Sequence, residues 1–179
     1  MRTLKPDRVA RFRALFADAY GDVLRFAQRR VHPSHAEDVA ADAFLVAWRR
    51  LDDAPTRFDD LRAWLFGIAR HCLLNARRGH GRQDALAVRV AESSTPPPTA
   101  DADFLALRVD LAAAWRQLSD AEQEVLSLTV FEDLTSSQAA RVLGVSSASY
   151  RLRLMRARRA LRHHLALANA PFPQMETQS

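Results

Sequence analysis

The C-terminal part of the chain concentrates arginine in a pattern that suits nucleic-acid binding. Residues 146–164 carry six arginines and no acidic residue, a local charge of +6 in a chain of net charge +5. Their sequence predicts a short helix over 136–143, a turn over 144–146 containing Gly144, and a longer basic helix over 147–164. This is the pattern of a helix-turn-helix, whose second helix enters the major groove of DNA. The competing interpretation is an arginine-rich face of a bundle helix, exposed only to solvent.

The second helix of this motif separates core positions from contact positions. At about 100° per residue, Leu154, Ala157 and Leu161 form one apolar seam. We expect the early residues to reach base edges or nearby phosphates, and the later arginines to meet phosphate or solvent. The candidate DNA-contact residues are Ser147, Ser149, Arg151, Arg153, Arg156 and Arg158.

The elements that position this motif are predicted to be helices throughout. Apolar residues recur at helical spacing along nearly the whole chain, which has only five glycines. Residues 91–103 read AESSTPPPTADAD, and three consecutive prolines cannot lie inside a helix. We therefore predict an all-α fold with two small helical domains, at 1–82 and 104–164. A Pro-rich linker over 83–103 joins them, and a flexible tail follows over 165–179.

Polar residues at the predicted helix starts mark where the helices begin. Four sites are expected to cap helices by accepting a hydrogen bond from a backbone N–H of the first turn. They are the capping boxes Ser34–Glu37, Ser119–Glu122 and Thr135–Gln138, and Asp60 at the third helix of the first domain.

Composition excludes several classes of protein. The single cysteine, Cys72, rules out an intramolecular disulfide framework and a multi-cysteine zinc cluster. The sequence has no P-loop, no glycine-rich dinucleotide motif and no metal-spaced His/Cys cluster, so we predict neither an enzyme nor a metal or cofactor site. No run approaches the roughly 20 apolar residues of a membrane span, and no signal core follows the N-terminus. A cytoplasmic protein without membrane insertion is expected.

Two sets of motifs resemble one family. Residues 36–48 (AEDVAADAFLVAW) and 62–70 (RAWLFGIAR) resemble region two of bacterial RNA polymerase sigma factors, most of all the extracytoplasmic-function (ECF) group. Residues 118–126 (LSDAEQEVL), 139–145 (AARVLGV) and 153–161 (RLMRARRAL) resemble region four of the same group. The resemblance covers about 12–82 and 107–164. It implies a sigma factor that binds core RNA polymerase, directs it to promoters and promotes promoter melting.

The resemblance also implies roles for individual residues. The second helix would dock on the clamp-helix coiled coil of the largest polymerase subunit, through Glu37, Asp38, Asp42, Arg49 and Arg50. For Glu37 alone, a role as a capping residue is favoured over docking. The following loop and third helix would read the minus-ten element and trap an unstacked base, through Arg57, Phe58, Arg62, Arg70, His71, Asn75, Arg77 and Arg78. The basic helix would read the minus-thirty-five element, and an anti-sigma factor is an expected partner.

The sequence departs from the family pattern at several positions. His71 stands where the family usually has asparagine, and Ala41-Asp42 where it has Gln-Glu. Tyr150 and Leu152 are unusual within the recognition helix, which implies a different minus-thirty-five preference unless Tyr150 belongs to the core. The alternative function is a helix-turn-helix regulator that binds duplex DNA by itself and does not engage core polymerase.

Overall fold

The computed structural model describes residues 6–79 and 102–168, and these residues form helices without any strand. The first part contains α1 (Pro6–Gln28), α2 (Pro33–Arg49) and α3 (Phe58–Gly79), with a 3₁₀ turn at Leu51–Asp53. The second part contains α4 (Ala102–Arg116), α5 (Asp120–Val130), α6 (Ser136–Leu143) and α7 (Ser147–Ala168). The all-α prediction is confirmed.

Helices α1, α2 and α3 pack around an apolar and aromatic core. Phe26 of α1 stacks on Phe66 of α3 with ring centroids 4.9 Å apart, and both rings are fully buried. At the other end of α1, Phe12 packs edge-on against Trp48 of α2 at 5.1 Å. Offset and edge-on ring pairs each add about 0.5–1.5 kcal/mol beyond the area that they bury. Trp64 is half-buried against this core.

Helices α4 to α7 pack around the part of the core that contains Tyr150 of α7. The Tyr150 side chain is fully buried. Its hydroxyl donates to the Val125 carbonyl at 2.7 Å and lies 2.8 Å from the Thr129 hydroxyl. Burial raises the pKa of this phenol above its usual value. Of the two roles open for Tyr150, the structure selects the core.

Two of the four predicted caps are confirmed, and two are wrong. Ser119–Glu122 and Thr135–Gln138 are complete capping boxes. Helix α2 instead begins at Pro33 with His32 as its N-cap, because proline at the first helical position has a preset φ and no N–H to satisfy. The other error concerns Asp60, whose helix begins earlier, at Phe58. The side chain of Asp60 binds Arg141 instead.

The predicted domain boundaries differ from the helix ends by a few residues. Helix α4 begins at Ala102, so the last two residues of the expected linker are helical, and residues 83–101 lie outside the described part. Helix α7 extends to Ala168, because leucine and alanine at 165–168 are strong helix formers. The remainder of the expected tail, 169–179, also lies outside the described part.

The two sets of helices pack directly against each other. Helix α3 of the first set lies along α6 of the second. Gly67 of α3 lies near Val142 of α6: a Cβ added at Gly67 would lie 3.9 Å from the Val142 Cα, an ordinary van der Waals distance. In the described part of the chain the two sets of helices are therefore associated.

Candidate nucleic-acid interface

The helix-turn-helix forms over the predicted residues. Helix α6 ends at Gly144, which adopts the left-handed conformation with φ of 68°. A residue without a Cβ takes this conformation at the least cost. Val145 is partly buried against the core, and Ser146 begins the next helix by accepting a hydrogen bond from the Ser149 N–H at 3.1 Å. The turn therefore fixes the angle between α6 and α7.

Helix α7 buries one face and exposes its arginines. Leu154 and Ala157 are buried and Leu161 is partly buried, which confirms the predicted seam. Ser147 and Ser149 at the start of the helix are half-buried. All the arginines of the helix are exposed: Arg151, Arg153, Arg156, Arg158, Arg159 and Arg162. The arrangement presents guanidinium donors around the exposed part of a helix that is anchored by its buried face.

The residues expected at the minus-ten element divide into three groups. The exposed group lies at the start of α3 and along its second half, and consists of Arg57, Phe58, His71 and Asn75. Phe58 exposes 47% of its surface, enough for its ring to stack on a base. Arg62 and Arg70 are only partly exposed and face acidic groups. The side chains of Arg77 and Arg78 lie outside the described part.

The face of α2 expected to meet polymerase is open to solvent. Glu37, Asp38, Asp42, Arg49 and Arg50 are all exposed, with Leu45 between them 56% exposed. The Arg50 guanidinium lies 3.4 Å from the Asp53 carboxylate one turn further on. An apolar groove between α1 and α2 is lined by Val9, Phe12, Arg13, Phe16 and Trp48. Mixed charge beside apolar surface suits a protein partner.

A cluster of buried charges joins the two sets of helices, and sequence reasoning missed it. Arg30, just after α1, is fully buried and its Nε donates to Glu124 of α5 at 3.0 Å. Its other nitrogens donate to Glu132 at 3.1 Å and to the Ser127 hydroxyl at 2.9 Å. Arg29 lies 3.1 Å from Glu132. In the sequence, Glu124 is the one residue that could have indicated this cluster. It falls one turn before Leu128 on the apolar face of α5, and an acidic residue on such a face suggests a buried charge.

Burial shapes the charge state of this cluster. Desolvation raises the pKa of Glu132 above its usual value, although the neighbouring Arg30 and Arg29 oppose that shift. At the edge of the same interface, the hydrogen bond from Arg141 lowers the pKa of Asp60. The arginine contacts favour the charged form of both carboxylates, but burial outweighs them at Glu132, whereas Asp60 is close to solvent.

The described residues show neither a metal-binding cluster nor a membrane-crossing helix. Within 6–79 and 102–168, no three His, Cys, Asp or Glu side chains gather as metal ligands would. None of the helices in these ranges has both the length and the apolar character needed to cross a bilayer. The fold and the exposed arginines of α7 define the class of all-α proteins that carry a helix-turn-helix.

Comparison with protein families divides the chain into the same two parts. Residues 15–83 match the family model of Sigma-70 region 2, and residues 108–161 match that of Sigma-70, region 4. The RNA polymerase sigma factor NccH of Alcaligenes xylosoxydans xylosoxydans is 31% identical over 141 residues, covering 73% of each chain. The ECF RNA polymerase sigma factor SigL of Mycobacterium tuberculosis is 29% identical over 155 residues, covering 86% of this chain and 88% of SigL.

Solved structures show the same architecture. CnrH, solved in complex with the cytosolic domain of CnrY, matches with a TM-score of 0.57 and 28% identity over 89% of each chain. The sigma factor RpoE of Bartonella quintana, solved with the anti-sigma factor NepR, has a TM-score of 0.62 at 24% identity, covering 87% of this chain and 97% of RpoE. The chain belongs to the sigma-70 family of RNA polymerase sigma factors, in its extracytoplasmic-function group. It directs RNA polymerase to promoters, so the alternative of a regulator that never engages polymerase is not supported.

Proposed function

We propose that three surfaces of this chain divide the work of promoter recognition. The exposed face of α2 docks on core polymerase through Glu37, Asp38, Asp42, Arg49 and Arg50. The start of α3 and its exposed face bind the minus-ten element. Helix α7 binds the minus-thirty-five element. The chain supplies no catalytic group of its own and acts where RNA polymerase acts, in the bacterial cytoplasm.

The proposed polymerase contact is supported by charge and exposure on α2. Asp38 and Asp42 lie one helical turn apart on the same face, with Leu45 exposed beside them. Charges at the rim of an apolar patch orient a partner and raise the rate of association. Glu37 lies outside any capping box in the structure, which leaves its carboxylate available for the same contact.

The proposed minus-ten contact rests on an aromatic ring beside basic side chains. Phe58 is exposed at the start of α3, next to the exposed Arg57. A ring of this kind stacks on an unpaired base for about 1–3 kcal/mol, which offsets part of the cost of opening the duplex. His71 and Asn75 lie exposed on the second half of α3, where they can bond to base edges or to the backbone. Promoter melting at the minus-ten element follows from trapping such a base.

The single observation that carries the proposal is the exposure of the α7 arginines above a buried seam. Tyr150, Leu154 and Ala157 hold the helix in place, so Arg151 and Arg153 near its start are positioned for the groove. The N-terminal end of a recognition helix is the part that meets base edges. We infer that Arg156 and Arg158, further along, contact phosphate.

Transcription with purified core polymerase tests the proposed function. Run-off transcription with core enzyme, with and without this chain, is expected to give promoter-specific transcripts only when both are present. If the chain alone bound specific duplex DNA and did not change transcription, the result would instead support a helix-turn-helix regulator that does not engage core polymerase.

The polymerase arm uses the double variant Asp38→Ala/Asp42→Ala. We expect core binding to weaken at least tenfold, while binding of duplex minus-thirty-five DNA by the free chain is unchanged. Asp103→Ala/Asp110→Ala on α4 removes the same charge from the second part of the chain and serves as the control. If the two double variants lost the same affinity for core polymerase, net charge and not the α2 face would decide binding.

The DNA arm compares two exposed arginines of α7. Arg153→Ala is expected to reduce specific minus-thirty-five binding by about ten- to a hundredfold, since a good arginine–guanine pair discriminates by about 1–3 kcal/mol. Arg162→Ala, further along the helix, should weaken specific and non-specific DNA alike by a smaller factor. If Arg162→Ala reduced specific minus-thirty-five binding more than Arg153→Ala does, the base contacts would lie towards the C-terminal end of α7. That result would contradict the proposal.

An anti-sigma factor is the proposed regulatory partner. The relative CnrH was solved with the cytosolic domain of CnrY, and RpoE with NepR. A protein that covers α2 or α3 of this chain would compete with core polymerase. Addition of such a partner is expected to lower core binding without dissociating core from its own subunits.

A further inference from the structure

One arginine near the start of α1 reaches across to the end of α2 and to the turn that follows it. The Arg8 Nη2 donates to the Trp48 backbone carbonyl at 2.7 Å, and its Nη1 donates to the Asp52 carboxylate at 2.6 Å. The same guanidinium lies 5.2 Å from the centroid of the Trp48 ring. One planar group thus joins α1 to the last turn of α2 and to the 3₁₀ turn Leu51–Asp53.

The contact with the Trp48 carbonyl satisfies one of the acceptors at the end of α2. The last four carbonyls of an α-helix have no N–H partner within the helix, and α2 ends at Arg49. The Val46 carbonyl accepts from the Arg50 N–H, whereas the Trp48 carbonyl accepts from the Arg8 side chain. A cation at the C-terminal end of a helix is also favoured by the helix dipole. Arg8 therefore fixes the direction in which the chain leaves α2.

The segment that Arg8 holds leads directly to the proposed minus-ten contacts. Residues 51–57 connect α2 to α3, and we call them the minus-ten loop. Arg57 is the last residue of the loop, and Phe58 begins α3. Leu51, the first residue, is only 2% exposed. The loop is thus anchored at its start by Leu51 and Arg8 and at its end by α3.

Exposure sets the relative weight of the two contacts of Arg8. The Asp52 side chain is 73% exposed and that of Arg8 only 23%. An ion pair with so exposed a partner contributes little by itself. The Trp48 carbonyl is a backbone acceptor whose position α2 fixes, so we expect its contact with Arg8 to matter more.

Neither the sequence motifs nor the family comparison singles out Arg8. The residues that match the model of Sigma-70 region 2 begin at position 15, so Arg8 precedes them. Its partners Trp48 and Asp52 are 40 and 44 positions away in the chain. Only the packing of α1 against α2 brings Arg8 to the minus-ten loop.

We propose that Arg8 is a positioning residue for recognition of the minus-ten element. It holds the minus-ten loop in the conformation in which Arg57 and Phe58 meet the DNA. It acts through Trp48 and Asp52 and makes no DNA contact of its own. This inference rests on the proposed minus-ten role of the loop and α3.

Transcription from a promoter library tests this role in the assembled holoenzyme. The minus-ten element is randomised, and sequencing of the transcripts gives the preference between the best and the worst base at each position. Arg8→Ala is expected to lower this preference about tenfold, as when the competent loop conformation falls from nearly all of the molecules to about a tenth. Arg8→Lys keeps the charge but not the planar fork, and should restore part of the preference. Preference at a separately randomised minus-thirty-five element should be unchanged.

Asp52→Ala distinguishes positioning from a direct contact between Arg8 and DNA. Loss of an acidic group near DNA strengthens binding by charge alone, whereas loss of a loop contact lowers the minus-ten preference. We expect a preference about threefold lower for Asp52→Ala, and no further loss when it is added to Arg8→Ala. Suppose instead that Asp52→Ala bound DNA more tightly and Arg8→Ala only reduced the salt dependence by about one ion. Arg8 would then contact phosphate, and the proposal would be overturned.

Arg11→Ala is the matched control for net charge. It removes the same charge from an exposed position three residues further along α1. The minus-ten preference is expected to change by no more than about twofold, as for most surface substitutions. Equal losses of preference in Arg8→Ala and Arg11→Ala would show that charge on α1, and not the position of the loop, matters.

A spin label on the loop tests positioning without polymerase or DNA. Thr56→Cys, combined with Cys72→Ser, places a nitroxide at an exposed position of the minus-ten loop. Electron paramagnetic resonance is expected to show a more mobile label when Arg8→Ala is added and no change when Arg11→Ala is added. Either an unchanged label mobility or an unchanged minus-ten preference in Arg8→Ala would overturn the proposal, whatever the change in melting temperature. If the wild-type holoenzyme showed no minus-ten preference at all, that result would count against the proposed function instead.

Discussion

At the scale of single residues, burial decides which side chains act as surface groups and which as structure. Tyr150 and Arg30 are both fully buried, one within the helix-turn-helix region and the other between the two regions. Each is polar, and each finds hydrogen-bond partners, as buried polar groups must. Their substitution therefore affects stability or closure, whereas substitution of the exposed arginines of α7 affects binding.

Tyr150→Phe is predicted to weaken the fold and leave DNA recognition unchanged. The substitution removes the hydroxyl that donates to the Val125 carbonyl and bonds to Thr129. The free energy of unfolding should fall by about 1–2 kcal/mol, measured by urea denaturation. Thr129→Val, which removes only one partner, should cost less. A loss of minus-thirty-five binding at unchanged stability would show that Tyr150 reads DNA.

Glu132 is predicted to make stability depend on pH. Burial raises its pKa in the folded chain above the unfolded value of about 4.3, so the folded state favours the protonated acid. Its contribution to stability is therefore full below the unfolded pKa and is lost as pH rises through the folded one. Relative to Glu132→Gln, the wild-type free energy of unfolding should decrease from about pH 4 towards neutrality.

Denaturation of both proteins at several pH values measures this difference. Asp103→Asn, at an exposed position, provides the reference for a carboxylate outside the interface. A wild-type advantage that grew with pH would mean that pairing with Arg29 and Arg30 outweighs the cost of burial.

At the scale of elements, the helix-turn-helix depends on one backbone conformation and one seam. Gly144 ends α6 in the left-handed region, and the Cβ of any other residue there would meet nothing within 4 Å. Space is therefore available, and only backbone strain opposes a side chain. Helix α7 packs against α4, α5 and α6 with Leu154 and Ala157 buried, and this packing sets the direction of its arginines.

Gly144→Ala is accordingly predicted to destabilise the chain by about 1–2 kcal/mol, the cost of the left-handed conformation for a residue with a Cβ. Gly144→Asn should cost less, since asparagine enters this region more readily. Thermal unfolding of the wild type and the two variants measures the order of their stabilities. Equal stability of all three proteins would mean that the turn relaxes to another conformation.

At the scale of the whole molecule, the contact between α3 and α6 couples the two regions. Gly67→Ala is predicted to stabilise the chain by up to about 1 kcal/mol, since alanine is the better helix former and its Cβ would make an ordinary contact at 3.9 Å. Gly67→Leu is too large for the same space and should separate α6 from α3. Small-angle scattering of the free chain is expected to show expansion for leucine and none for alanine.

The difference in expansion between the Gly67→Ala and Gly67→Leu chains tests this contact. Expansion by both would mean that the helices are closer than the 3.9 Å contact indicates. Expansion by neither would mean that α6 shifts along α3 and the regions remain closed.

The sequence determined most of the local structure, because helices, turns and caps depend on residues close together in the chain. The periodic apolar residues predicted the helices, and Gly144, Ser119 and Thr135 marked their ends correctly. Where local signals competed, the prediction failed. Ser34 and Asp60 both suit a cap, but Pro33 set the start of α2, and Asp60 found a partner 81 residues away.

Only the tertiary structure decided which charged residues are buried and what they contact. Arg30 reads as one of many arginines in the sequence, and its partners Glu124 and Glu132 are 94 and 102 residues away. Pairings over such distances depend on how α1 and α5 are brought together, which no local pattern encodes. The docking of α3 on α6 is set in the same way, by the fit of Gly67 against Val142 and by charges that meet only after both regions have folded.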